Sequence, residues 1–118
     1  MVTAREAFEA KKLASKYGVP GKVAALYRMA GYRVDMISSE PDAPVHFKAS
    51  KRRDHLAVRV YWKPGKVPPE VVEELASTAG GSHRPVLVLY GAGPRADEGL
   101  IEKARGLNVK IRRVRAHP

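Results

Sequence analysis

The run Pro-Val-Leu-Val-Leu-Tyr at residues 85–90 contains no polar alternation, unlike a strand that turns one face to water. A short apolar run of this kind is typical of a strand buried on both faces, inside a sheet that carries helices on each side. A helical pattern that Pro68 opens and Gly80 stops precedes it, and another pattern at about 95–105 follows it. This part of the chain predicts an α/β arrangement with 85–90 in the sheet interior.

The rest of the chain extends the pattern in both directions. Upstream, apolar periodicity predicts two helices and then three strands, at about residues 4–17, 22–30, 32–37, 45–49 and 56–62. Downstream, Val109 and Ile111 begin a last strand that leads into arginines. The order is ααβββαβαβ. We therefore predict one α/β (α+β) domain over residues 1–118, with a mixed sheet flanked by helices.

The charge of the chain points to a polyanionic partner. Lys and Arg number 22 against 12 Asp and Glu, which gives a formal charge of +10 in 118 residues. Positive charge is concentrated in residues 48–66 and 110–115, which favours a directional binding surface. No long apolar stretch, signal-peptide pattern or lipidation motif is present, so we expect no membrane partner. The absence of cysteine fits a reducing compartment, and we expect a cytoplasmic protein.

The strand at 56–62 follows a cationic block and interleaves Arg, Tyr and Trp with aliphatic residues. Period-two alternation places Leu56, Val58, Val60 and Trp62 on one face and Ala57, Arg59, Tyr61 and Lys63 on the other. If strands two and three form a hairpin, the second of these faces becomes an exposed cationic and aromatic platform. A core strand with a basic turn in front of it is the alternative, and Trp62 fits either a core anchor or an exposed stacking ring.

The platform gives a set of candidate contacts with nucleic acid. Cations bind phosphates and release counterions, and the candidates are Lys48, Lys51, Arg52, Arg53, Arg59 and Lys63. Aromatic rings stack on any base, and the candidates are Tyr61, with Trp62, Phe47 and Tyr32 as further rings. We expect sequence-tolerant binding of single-stranded DNA or RNA, because the aromatic residues lie on strands and no recognition-helix pattern is present.

Two other sequence features predict no site chemistry. Gly91-Ala92-Gly93-Pro94-Arg95-Ala96 satisfies a dinucleotide-binding pattern, but the chain ends within about 25 residues in an Arg-rich strand. A plain strand-to-helix turn is favoured over a phosphate contact or a nucleotide cofactor. The histidines, which form no metal-ligand spacing, are His46, His55, His83 and His117. We expect no catalytic residue, no metal and no cofactor.

The segment from Lys22 to Tyr90 resembles the core of the restriction-endonuclease-like nucleases, which include Mrr-type domains and archaeal Holliday junction resolvases. Gly31-Tyr32-Arg33-Val34 matches the family's entry to its first strand, and Tyr61-Trp62-Lys63 stands where the family has Glu-x-Lys. The resemblance implies a nuclease-like scaffold that retains the lysine and lacks the metal-binding glutamate. Asp42 and Asp54 are the acids nearest strand two. A binder that does not cut is favoured, and a Mg²⁺-dependent nuclease is the alternative.

The whole chain resembles the ThermoDBP-related single-stranded DNA-binding proteins of archaea. The resemblance rests on the paired helices at 4–17 and 22–30 and on the strands around Phe47-Lys48 and Arg59-Val60-Tyr61-Trp62. It implies a strand of nucleic acid lying between the N-terminal helices and the sheet, and a homo-oligomer. The chain has no Gln and one Asn, which is typical of thermophiles. The apolar side of helix 4–17 offers a self-association surface for a dimer or tetramer.

Overall fold

The structure is a computed structural model that describes residues 3–115. Within these residues, four helices form where the sequence predicts them. Their bounds are α1 Ala4–Lys16, α2 Gly18–Met29, α3 Pro69–Ala79 and α4 Glu98–Gly106. A capping box starts α1: the Thr3 hydroxyl accepts from the Glu6 amide, and the Glu6 carboxylate accepts in return. Asp97 caps α4 by accepting from the Leu100 amide at 2.9 Å. His117 lies outside the described residues.

Within residues 3–115, seven strands accompany the helices. They are β1 Arg33–Met36, β2 Phe47–Lys51, β3 Asp54–Tyr61, β4 Gly65–Lys66, β5 Arg84–Tyr90, β6 Pro94–Arg95 and β7 Lys110–Val114. Five of them form one mixed sheet in the order β1-β2-β3-β5-β7, in which β1, β2 and β3 are antiparallel and β3, β5 and β7 are parallel. The predicted order ααβββαβαβ and the mixed sheet are confirmed. The sequence did not predict β4 and β6, which pair with each other and are too short for a periodic signal.

Helices cover both faces of the sheet. On the face that α1 and α2 cover, the core contains Val23, Phe47, Val58, Val60, Val86 and Val88. On the face that α3 and α4 cover, it contains Leu75, Leu87, Leu89 and Leu100. We call these the α2 face and the α3 face. The inference that residues 85–90 are buried on both sides is confirmed, because β5 contributes to both cores.

The two N-terminal helices are held close together by a glycine. A side-chain carbon at Gly21 would collide with the carbonyl oxygen of Leu13, so only glycine fits where α2 crosses α1. Helix α2 packs mainly against β1, β2 and β3, and it meets β7 through the contact of Tyr27 with Arg112. In residues 3–115 no helix is long and apolar enough to cross a membrane.

Candidate nucleic-acid interface

The exposed platform predicted on strand three does not exist. Arg59 is 3% exposed and Tyr61 is 9% exposed, and both lie on the α3 face. Phe47 is fully buried on the α2 face. The alternation of side chains along β3 was predicted correctly, but alternation does not reveal whether a face is covered. Here α3 covers the face that the charge pattern suggested was open, so these three side chains offer no surface to a base or phosphate.

Arg59 instead ties α3 to the sheet. Its Nη1 donates to the carbonyl oxygen of Val71 at 3.2 Å and to Oε1 of Glu74 at 3.1 Å. Its Nε has no hydrogen-bond partner among residues 3–115. The ion pair is asymmetric, because the Glu74 side chain is 58% exposed whereas that of Arg59 is almost fully buried. Arg59 therefore has a structural role that its place in a basic segment did not indicate.

Trp62 lies half-buried at the end of β3 and packs against the core of the α2 face. The core-anchor interpretation therefore fits Trp62 better than the stacking-ring interpretation. Its ring centroid is 5.8 Å from that of His46, which is fully buried. His46 Nδ1 accepts from the Val60 amide at 2.9 Å, so its Nε2 donates to the Glu40 carbonyl at 2.7 Å. Burial lowers the pKa of His46, which joins the 38–46 segment to β3 as a neutral ring.

The positions that resemble a nuclease motif form an exposed ion pair. Lys63 Nζ donates to Asp42 Oδ1 at 2.7 Å, which lowers the pKa of Asp42 and raises that of Lys63. Tyr61, at the position of the family's glutamate, is buried under α3. Across residues 3–115, no three His, Asp or Glu side chains gather as a ligand set for a metal ion. Asp42 and Lys63 form an ion pair, so this position offers a Mg²⁺ ion a single carboxylate, and that carboxylate is already paired.

Positive charge collects at the opposite end of the sheet. Strands β3, β5 and β7 are parallel and all begin at that end, beside the tip of the β2–β3 hairpin. We call this the basic end, and its cations are Lys51, Arg52, Arg53, Arg84, Arg105, Lys110 and Arg112. Of these seven cations, only Arg84 has a carboxylate within 4.0 Å in the described part of the chain, at 3.6 Å from Asp54. At the other end, Lys63 and Lys66 are both paired with aspartates.

Two of these arginines are exposed to solvent at the tip of the β2–β3 hairpin. Lys51 pairs with Asp54, so Arg52 and Arg53 form a two-residue turn. Arg52 has a φ of 55°, a left-handed conformation that costs a non-glycine residue about 1–2 kcal/mol. Both side chains are exposed. The turn therefore presents two adjacent positive charges at the tip, as the sequence predicted.

A groove runs between α2 and the edge strand β7, from the side of α2 to the basic end. Alternation along β7 turns Lys110 and Arg112 towards the α2 face, where α2 stops short of them. Tyr27, Tyr32, Arg84, Lys110 and Arg112 line it, and we call it the α2–β7 groove. The guanidinium carbon of Arg112 is 5.9 Å from the Tyr27 ring centroid, within the range of a cation–π contact. The groove thus combines guanidinium groups with aromatic rings.

Tyr32 is the predicted stacking ring that lies in this groove. Its hydroxyl donates to Asp54 Oδ2 at 2.9 Å, and this bond raises the pKa of Tyr32. The ring meets Tyr27 edge-on at 5.4 Å, and Lys51 Nζ is 5.5 Å from its centroid. The Lys51 ammonium also donates to the Ala30 carbonyl at 2.8 Å, at the end of α2. Tyr32 is half-buried and held in one orientation.

The basic end continues into a second groove of about 630 Å³ on its far side. Arg84 and Lys110 line both grooves, and Arg105 lies in the second. Gly80 and Asn108 also line it, and Asn108 has a φ of 57° in the turn before β7. A chain that follows the α2–β7 groove can therefore meet cations along its whole path around the ends of β5 and β7.

The predicted contacts are thus divided among four places. Four of them come together at the basic end: Lys51, Arg52, Arg53 and Tyr32. Two lie at the opposite end, Trp62 and Lys63, and Lys48 is half-buried on the α3 face. The remaining three are buried: Arg59, Tyr61 and Phe47. The prediction missed Arg84, Arg105 and Arg112 as candidate contacts, and it gave Lys110 only as part of a charged tail, whereas Tyr27 is buried and forms the wall of the groove. One signal was available, since Arg84, Lys110 and Arg112 all fall at or near strand starts.

Comparisons with known proteins give a weak likeness of fold. No family model and no curated protein matches the chain. A solved structure of the MspJI restriction endonuclease in complex with a 27-mer oligonucleotide aligns with a TM-score of 0.45 and 18% sequence identity. The alignment covers 93% of this chain and 26% of the MspJI chain, so this chain spans about a quarter of that protein. A likeness at this level carries no statement about activity.

Proposed function

We propose that this protein binds single-stranded nucleic acid without sequence preference and without cutting it. The observation that supports this most strongly is the basic end, where cations without carboxylate partners adjoin a groove lined by tyrosines. Phosphates would lie along Arg84, Lys110 and Arg112, and the hairpin tip would add Arg52 and Arg53. The proposed site therefore lies at the ends of the strands and not on the strand platform that the sequence predicted.

The unpaired cations supply affinity through counterion release. Each phosphate that a single strand places against Lys or Arg adds about 0.7 to the slope of log K against log salt. Arg84 is available for this, since its side chain is 75% exposed and its contact with Asp54 is long. Phosphate contacts carry no sequence information, so they favour sequence-tolerant binding.

The groove gives a reason to prefer single strands over duplex. A single strand can turn a base into the recess between α2 and β7 and stack it near Tyr32, which contributes about 1–3 kcal/mol. A duplex keeps its bases inside and reaches only the cations on the rim. The burial of Tyr61 rules out the exposed strand platform, so that platform no longer supports a preference for single strands. Preference for single strands now depends on Tyr32 and the groove.

The proposal of a binder without nuclease activity rests on the Asp42–Lys63 pair. Mg²⁺ is normally held by one or two well-placed carboxylates, and it assists cleavage by activating a water molecule. Asp42 is 84% exposed and already paired with Lys63, and the position of the second acid holds buried Tyr61. We therefore expect a nucleic-acid probe to stay intact in the presence of Mg²⁺.

We also propose that the protein self-associates through α1. Phe8 is 68% exposed on this helix, in which the sequence predicts a self-association surface. Burying an aromatic ring of this kind between two copies would remove apolar surface from water. Light scattering of wild type and Phe8→Ser should give a dimer or tetramer for the first and a smaller species for the second. A monomeric wild-type protein would contradict the proposal.

The experiment that tests the function is a fluorescence-anisotropy titration with labelled single-stranded DNA, single-stranded RNA and duplex DNA of unrelated sequences. Each titration is run at several salt concentrations with Mg²⁺, and the probes are examined on a denaturing gel afterwards. The expected result is tighter binding of single strands than of duplex, little dependence on sequence, and intact probes. Cleaved probe would support the nuclease alternative, and equally weak binding of every probe would refute nucleic-acid binding.

A further inference from the structure

Two histidines that lie far apart in the sequence meet on the α3 face near the basic end. The parallel register of β3 and β5 pairs Leu56 with Arg84, so the residues before them, His55 and His83, are neighbours. Their ring centroids are 5.9 Å apart. His55 is exposed and His83 is half-buried, so water and ions can reach the pair. Neither ring belongs to the α2–β7 groove.

Each histidine is oriented by a serine. His55 Nδ1 is 3.2 Å from Ser50 Oγ, and His83 Nδ1 is 3.0 Å from Ser82 Oγ. In the part of the chain that the structure describes, neither Nε2 atom has a hydrogen-bond partner. When Nδ1 donates to the serine oxygen, the lone pair of Nε2 is available to a ligand. Metal-binding histidines are typically oriented in this way, by a hydrogen bond at the nitrogen that does not bind the metal.

We propose that His55 and His83 form a two-imidazole site for a divalent transition-metal ion such as Zn²⁺ or Ni²⁺. Imidazole nitrogens suit these ions, whereas Mg²⁺ prefers oxygen. Two rings bound to one tetrahedral ion through nitrogens about 2.0–2.1 Å away have centroids about 5 Å apart. The present separation of 5.9 Å is close to that value, and binding requires the exposed His55 side chain to rotate until both Nε2 atoms face the ion. Water occupies the remaining coordination positions.

Lys48 modulates this site. Lys48 lies opposite Ala57 in the β2–β3 register, diagonal to His55 on the α3 face, so its positive charge is near the histidine pair. The same positive charge of Lys48 repels a dication. Removing it should therefore strengthen metal binding, although it also removes one of the cations predicted to contact nucleic acid. Tighter metal binding by Lys48→Ala would indicate a metal site at the histidine pair, whereas weaker nucleic-acid binding would indicate that Lys48 contacts a phosphate.

The test is isothermal titration calorimetry of the untagged protein with Zn²⁺ alone and with Ni²⁺ alone, without nucleic acid. Wild type should bind one ion per chain, and His55→Ala or His83→Ala should each weaken binding by about tenfold or more. Lys48→Ala should tighten it. His117→Ala is the matched control, and it should bind as wild type does.

Several results would overturn the proposal. They are the absence of binding to wild type, unchanged affinity in His55→Ala and His83→Ala, or loss of binding in His117→Ala alone. Circular dichroism of each variant shows whether the fold is intact. His83→Gln provides a second variant that retains side-chain volume if His83→Ala unfolds, and it should show the same loss of affinity. None of these outcomes depends on whether the protein binds nucleic acid.

Discussion

Arg59 Nη1 lies 3.1 Å from Glu74 Oε1 and 3.2 Å from the Val71 carbonyl oxygen, so one buried guanidinium joins the central strand β3 to helix α3. Arg59 is one of two polar or charged residues in the described part of the chain that are buried, together with His46. Both side chains bind the backbone of a neighbouring segment. The buried charge of Arg59 is therefore used for the fold, and the cations of the basic end that lack carboxylate partners are left for a ligand.

Arg59→Ala should destabilise the fold and leave the salt dependence of nucleic-acid binding unchanged. The substitution removes the hydrogen bond to Val71 and the packing of the side chain, and we expect a loss of about 1–3 kcal/mol in the free energy of unfolding. Glu74 stays solvated, which limits the cost. Urea denaturation checks this result, with Arg53→Ala at the hairpin tip as the control. A lower salt slope in folded Arg59→Ala would show that Arg59 contacts phosphate after all.

His46 should make the protein less stable in mild acid. Burial, the largest cause, lowers the pKa of His46 in the folded state, whereas the unfolded ring has its ordinary value of about 6.5. Below that value the unfolded state binds a proton that the folded state excludes, so the free energy of unfolding falls as pH falls. Stability is highest above that value and is lost on acidification.

Denaturation of wild type and His46→Gln between about pH 7.5 and pH 5.5 tests this linkage. His46→Gln should be less stable at the higher pH and should show a weaker pH dependence. His83→Gln is the comparison variant. The pKa of His83 is also lowered, so this substitution should likewise weaken the pH dependence of the free energy of unfolding, at a site away from His46. If the pH dependence of His46→Gln equals that of wild type, the buried ring is not the group responsible.

Asp54→Asn should strengthen binding to nucleic acid. Asp54 is the acid of the α2–β7 groove, where it accepts from Tyr32 and lies 3.6 Å from Arg84. Neutralising it removes repulsion of the phosphates and frees Arg84, so affinity should rise and the salt slope should steepen by up to about 0.7. The substitution Asp35→Asn on β1 has the same charge change and should have little effect. Equal effects of both would indicate that net charge alone governs binding.

Tyr32→Leu should weaken binding of single strands more than binding of duplex. Loss of one stacked base removes about 1–3 kcal/mol of binding free energy and leaves the number of phosphate contacts unchanged. Anisotropy titrations should therefore show lower affinity for single-stranded DNA with an unaltered salt slope. Tyr90→Leu, at the other end of the α2 face, is the matched control. The idea of stacking fails if folded Tyr32→Leu loses affinity for duplex and single strands equally.

The sequence predicted the helices, the five strands of the main sheet and the faces of β3, because periodicity records which residues avoid water. Residues 85–90 were read correctly for this reason. Arg59 and Tyr61 were misplaced because their strand is central, and nothing in its own pattern states that α3 lies over it. The groove could not be predicted, because Tyr27 lies within the apolar pattern that predicts the helix at 22–30 and Arg112 lies 85 residues further along the chain. Their meeting depends on the sheet order, in which β7 follows β5 at the edge.

The measurement that tests the central claim most directly is the salt dependence of single-stranded DNA binding by two charge-matched double variants. One is Arg84→Ala with Arg112→Ala in the groove, and the other is Lys11→Ala with Arg95→Ala at exposed positions away from it. The groove variant should bind more weakly, with a salt slope lower by about 1.4, which corresponds to two lost phosphate contacts. The other variant should stay close to wild type. Equal losses in both would contradict a site at the basic end.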